Sequence, residues 1–118
     1  MQKSIEERSF NFAIRIVRLK NYLITEKKEY DLSRQILRSG TSIGANVSEA
    51  QQAQSQADFL SKMNIALKET AETKYWLRLL IATDKLTKKE TESLLAECIE
   101  TEKILYSIVR TTKKNIDK

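Results

Sequence analysis

Few of the side chains that carry out catalysis are grouped to do so in this sequence. There is no histidine, so the commonest general base and the commonest transition-metal ligand are missing, and catalytic zinc and histidine-based triads are excluded. Glu69 and Glu72 have the i, i+3 spacing used in carboxylate-bridged metal bundles. Those sites need inward Glu-x-x-His pairs, nothing here completes the set, and the two carboxylates are expected on a solvated face. Gly40-Thr-Ser-Ile-Gly44 is followed by Ala45, whereas a Walker-type phosphate loop needs Gly-x-x-x-x-Gly-Lys and then Ser or Thr after a strand. Cys98 is the single cysteine; it cannot form an internal disulfide, and its place in an apolar stripe predicts a buried thiol. Serine and lysine nucleophiles lack a visible base and orienter. The expectation is a protein that is not an enzyme and takes no metal or cofactor.

The stretch from Arg38 to Glu49 is different. It reads as helix by periodicity although it is poor in strong helix formers. Ile36, Gly40, Ile43, Gly44 and Val47 fall on one face, and each glycine costs about 1 kcal/mol against alanine in a helix interior. Small residues four apart let another backbone come close. Beside them runs a polar line, Ser39, Ser42, Asn46 and Glu49, where an ordinary surface helix would carry Lys, Glu and Ala.

The elements that must position these residues follow from composition and start signals. No proline, two glycines and few aromatics leave little turn chemistry for an all-β or α/β domain. An all-α fold of one domain, residues 1–118, is expected. Ser4 with Glu7, Ser55 with Asp58 and Thr87 with Glu90 have capping-box spacing, and Asp31 or Ser33 is the expected cap of the remaining helix. Helices are predicted over roughly residues 5–25, 32–53, 56–83 and 88–114. The first buries Phe12, Ala13, Ile16, Val17, Leu19 and Leu23; the third buries Phe59, Leu60, Met63, Ala66, Leu67, Leu77 and Ile81. Short connections make sequential neighbours antiparallel, giving an up-down-up-down four-helix bundle.

Two surfaces are left over. On the third helix Ile65, Tyr75, Trp76 and Leu79 project away from the core stripe at helical spacing, and an exposed apolar patch containing Trp marks a candidate interface between subunits. The alternative is that this helix sits at the centre of the bundle. The net charge of +5 is concentrated. Arg8, Arg15 and Arg18 on the first helix and Arg110, Lys113 and Lys114 on the last are candidate phosphate contacts, in clusters that suit an anionic partner. The helix dipole alone would also favour the late cations of the last helix. No apolar run approaches bilayer-spanning length, and the start, Met1 to Glu7, lacks the apolar core of a secretory signal, so a cytoplasmic protein without a membrane partner is expected.

Arg38-Ser-Gly-Thr-Ser-Ile-Gly-Ala-Asn-Val-Ser-Glu49, continued by Ala66-Leu-Lys-Glu-Thr-Ala-Glu72 and Tyr75-Trp-Leu77, resembles the bacterial four-helix bundle proteins encoded in intervening sequences of 23S rRNA genes. The family pattern is met at Arg38, Ser39, Gly40, Ser42, Ile43, Asn46 and Glu49. Ser48 stands where the family tends to have Ala, and Ala50 where it tends to have Gly, so the second helix is expected to run on. The resemblance implies a cytoplasmic homo-oligomer, a ring of five bundles, without established enzymatic activity and with a role at RNA. The family is also similar to accessory proteins of diversity-generating retroelements, which bind a reverse transcriptase and nucleic acid. Arg38, Ser42, Asn46 and Glu49 are then motif positions with two open roles, contacting a ligand or locking the second helix against its neighbours. Two functions follow: an oligomeric, sequence-tolerant RNA-associated protein whose Lys and Arg neutralise phosphates, or a scaffold for a protein partner.

Overall fold

The computed structural model describes residues 3–118; Met1 and Gln2, which open the stretch read for a secretory signal, lie outside them. Four helices form, α1 (Ile5–Lys27), α2 (Asp31–Ala50), α3 (Gln56–Ala82) and α4 (Lys88–Ile116). Each packs on its neighbours in the cyclic order α1, α2, α3, α4, and no diagonal pair meets. This is the predicted up-down-up-down bundle, and the α1–α4 seam is its thinnest. Its core holds Phe12, Ile16 and Leu23 from α1, Ile36, Ile43 and Val47 from α2, Met63, Leu77 and Leu80 from α3, and Leu94, Cys98 and Leu105 from α4.

Three of the four helices start as the sequence predicts. Ser4 accepts from the Glu7 N–H, Ser55 from the Asp58 N–H, and Thr87 and Glu90 complete a reciprocal capping box. The start of α2 differs from the expectation. Tyr30 is its N-cap, without a side-chain bond. The Glu29 carboxylate accepts the Leu32 N–H instead, while Ser33 donates to the Tyr30 carbonyl and Asp31 pairs with Arg34. A long side chain before the turn reaches the free N–H groups that Asp31 and Ser33, already inside the helix, cannot serve.

The end of α2 is also corrected. It stops at Ala50 rather than running to residue 53, because the N–H groups of Gln51, Gln52 and Ala53 turn back to the carbonyls of Ser48, Glu49 and Ala50. This tightened turn brings Ser55 into extended conformation, where it caps α3. Val17 is a third correction: it is exposed, not buried. Ser9 and Ile16 take the positions against α2, and Val17 is turned out of the core with Phe10 and Ile14.

Candidate nucleic-acid interface and the α2 motif

The glycine face of α2 is explained by α1. A Cβ on Gly40 would lie 2.7 Å from Ile16 Cγ1 and 2.8 Å from its Cγ2, and one on Gly44 would lie 3.2 Å from the Ser9 carbonyl oxygen. Real Cβ atoms do not approach that closely at the first position, so the α1–α2 crossing requires glycine there. On the opposite flank the motif ties α2 to α3. The Arg38 guanidinium reaches both Glu69 and Glu72, and Glu72 also accepts from the Trp76 indole N–H at 3.0 Å. The Glu69 side chain retains only 18% of its exposure. The two carboxylates expected on a solvated face are therefore an anchor for Arg38, a role that sequence spacing within one helix cannot reveal.

The Thr73 hydroxyl donates to the Glu69 carbonyl at 2.7 Å and shares a second hydrogen bond, 2.9 Å long, with the hydroxyl of fully buried Ser39. Further along, Ser42 donates to the Arg38 carbonyl, and the Asn46 amide donates to the Ser42 carbonyl at 2.8 Å. Both are half-buried and bonded to their own helix. Glu49 is exposed and lies 3.6 Å from Lys62. Arg38 and Glu49 thus face cross-helix partners on α3, with Ser42 and Asn46 between them.

The cations divide into engaged and free. Arg15 pairs with Glu97 across the α1–α4 seam, and Tyr22 donates to Glu90 at 2.7 Å on the same seam. Arg8 is half-buried, with its Nε shielded from solvent and without a hydrogen-bond partner. Arg18, Arg110, Lys113 and Lys114 are exposed and form no ion pair among the described residues. The two α1–α4 ties place Arg15 level with Glu97 and Tyr22 level with Glu90. Continuing that antiparallel register sets Arg8 beside Ile104 and carries Arg110, Lys113 and Lys114 to the start of α1 and past it. Arg18 lies far from that end, halfway along α1. Between Lys103 and Lys118 there are five cations and a single acid, Asp117.

The candidate interface on α3 is also split. Tyr75 is exposed and Leu79 half-buried; both line a cleft of about 1030 Å³ against α4. Trp76 packs edge-on to Tyr75 with ring centres 5.1 Å apart, and its indole is held by Glu72 at the α2–α3 seam. Ile65 is exposed. The ridge Phe10, Ile14 and Val17 on α1 was not expected, although its i, i+4, i+7 spacing is legible once the core stripe is assigned.

Burial, chiefly, pushes the Cys98 thiol up to about 12, and its sulfur faces the Thr70 carbonyl at 3.5 Å. It is a packed core group and not a thiolate nucleophile. Among the described residues no cluster of three or more acidic or cysteine side chains is placed to hold a metal ion, and no helix is long and apolar enough to cross a membrane.

No curated protein matches this chain. A crystal structure of a protein of unknown function from the S23 ribosomal protein family of Bacteroides thetaiotaomicron superposes with a TM-score of 0.88 at 54% identity, over 90% of this chain and 98% of that one. The pattern of the 23S rRNA-intervening sequence protein family matches residues 2–107. Sharing that pattern through all four helices, the chain belongs to the 23S rRNA-intervening sequence protein family.

Proposed function

We propose that this protein is a non-enzymatic, cytoplasmic homo-oligomer that associates with RNA through exposed cations, without reading base sequence. The observation that carries the reading is the set Arg18, Arg110, Lys113 and Lys114, exposed and without carboxylate partners among the described residues. Phosphate neutralisation by such groups releases counterions and supplies affinity without specificity. Arg15 is withdrawn from that set by Glu97, and Arg8 contributes at most its terminal nitrogens. Family membership agrees with a role at RNA, and Arg38, held by Glu69 and Glu72, serves the bundle rather than a ligand.

The test is fluorescence anisotropy of a structured RNA hairpin titrated at low and physiological salt. Binding is expected to weaken steeply with salt. Replacing Arg18, Arg110, Lys113 and Lys114 together by Gln should flatten the log–log salt dependence by roughly 0.9 for each phosphate that is no longer neutralised. An unchanged slope would remove these residues from the interface. No binding at low salt would leave the scaffold reading, in which the partner is a protein such as a retroelement reverse transcriptase.

A further inference from the structure

Two apolar surfaces of the subunit have no partner within it. One is the ridge on α1, where Phe10 is 66% exposed, Ile14 37% and Val17 42%. The other is the seam between α3 and α4, which opens as the cleft lined by Tyr75, Leu79, Leu95, Ala96 and Ile99 and, further along α4, as a smaller one lined by Leu67, Lys103 and Tyr106. Helix α1 does not touch α3, so ridge and seam cannot cover each other inside one chain. We propose that the α1 ridge of one subunit seats in the α3–α4 seam of a second copy, related to it by rotation about an axis along the bundle. The inference rests on the homo-oligomeric part of the function proposed above and adds the two surfaces that make it.

With that axis, ridge and seam meet at matching heights. Rotation about an axis along the bundle keeps every residue at its own level. The ties Tyr22–Glu90 and Arg15–Glu97 set the levels of α1 against those of α4. On that scale Val17 falls level with Leu95, Ile14 with Cys98, and Phe10 with Glu102. These levels fall within the length of α4 along which the clefts run, Lys88 to Ile99 in the larger and Glu102 to Tyr106 in the smaller. Apolar anchors spaced i, i+4, i+7 on a helix are the pattern that enters such a groove.

The charges flanking the ridge match as well. Glu6, exposed one turn before Phe10, falls level with Tyr106 and one turn from exposed Lys103. Lys20, half-buried one turn after Val17, falls level with exposed Glu92. None of these four groups has an ion-pair partner among the described residues. Because ridge and seam are different surfaces, the contact is head-to-tail, so each subunit offers one of each and the assembly grows until it closes.

The experiment is solution mass by light scattering on the full chain, with circular dichroism to confirm that each variant is helical. Wild type is expected to exceed the mass of one 13.7 kDa chain. Phe10→Glu with Val17→Glu removes the ridge but leaves the seam; Ala96→Trp, at an exposed seam position, blocks the seam but leaves the ridge. Each variant alone should run as a single chain, and an equimolar mixture should form a complex of two subunits and no larger. Glu92→Lys should weaken assembly, and adding Lys20→Glu should restore it. Variants that keep the wild-type mass, or a mixture that stays as single chains, would overturn the proposed surfaces while leaving an oligomer in place. A wild type of single-chain mass would overturn the oligomer itself and leave the seam to an apolar helix of another protein. RNA binding is measured separately, by anisotropy, so failure of these surfaces and failure of the RNA reading are distinguishable.

Discussion

At the scale of single residues, Gly40 and Gly44 look alike in the sequence and are not equivalent in the structure. An alanine at either position gains about 1 kcal/mol of helix propensity. At Gly40 the added carbon would overlap Ile16, a fully buried branched side chain with no room to retreat. Overpacking of this kind typically costs about 1–3 kcal/mol, so Gly40→Ala should be a net destabilisation despite the propensity gain. At Gly44 the nearest atom is 3.2 Å away, a distance that a shift of a few tenths of an ångström relieves. Urea unfolding of the two variants is the check. Gly40→Ala should have the lower midpoint, and the reverse order would mean that α1 and α2 separate more easily than their packing implies.

At the scale of elements, the α1–α4 seam is tied on its outer side by groups whose ionisation matters. The Glu90 carboxylate lies below its usual value, first through the Thr87 N–H that it caps and then through the Tyr22 hydroxyl. The hydrogen bond to Glu90 raises Tyr22 above the ordinary tyrosine value of 10.0. A depressed carboxylate contributes stability above its unfolded pKa and loses it as pH falls through the folded one. A raised phenol contributes below its unfolded pKa and loses it as pH rises through the folded one. The stability difference between wild type and Tyr22→Phe should therefore be greatest between the carboxylate range and pH 10 and shrink on both sides, measured by denaturation across pH. A difference independent of pH would mean that Tyr22 acts only by packing.

The same element shows what sequence can and cannot reveal. The Thr87–Glu90 capping box is local, with both partners three residues apart, and it was legible. The Glu29 carboxylate serving the Leu32 N–H at the start of α2 was not, since it depends on how the left-handed Lys28 turns the chain. Four amphipathic stripes with short connections were enough for the bundle. The anchoring of Arg38 by Glu69 and Glu72, and the neutralisation of Arg15 by Glu97, join residues at least 31 positions apart and need the register of facing helices. The spacing of cations along the chain could find the basic clusters, but not which cations are free.

At the scale of the whole molecule, the four proposed phosphate contacts, Arg18, Arg110, Lys113 and Lys114, are too few in one subunit to bind RNA strongly. Four neutralised phosphates would give a log–log salt slope of only about −3 to −4. Arg18 and the α4 terminus are also separated along the bundle, so one subunit does not present them as a single patch. Assembly would repeat each around an axis and convert weak contacts into linked ones. Affinity for the hairpin should therefore depend on assembly even though the ridge contains no cation. The Phe10→Glu, Val17→Glu variant adds two negative charges per subunit, so its proper comparison is Ala96→Trp, which changes no charge and blocks the other half of the same contact. If both run as single chains and both bind more weakly, with a shallower salt dependence than wild type, the assembled surface is what RNA meets. If Ala96→Trp binds as tightly and with the same slope as wild type, the interface lies within one subunit, and the terminal turns of α4 are where it should be mapped.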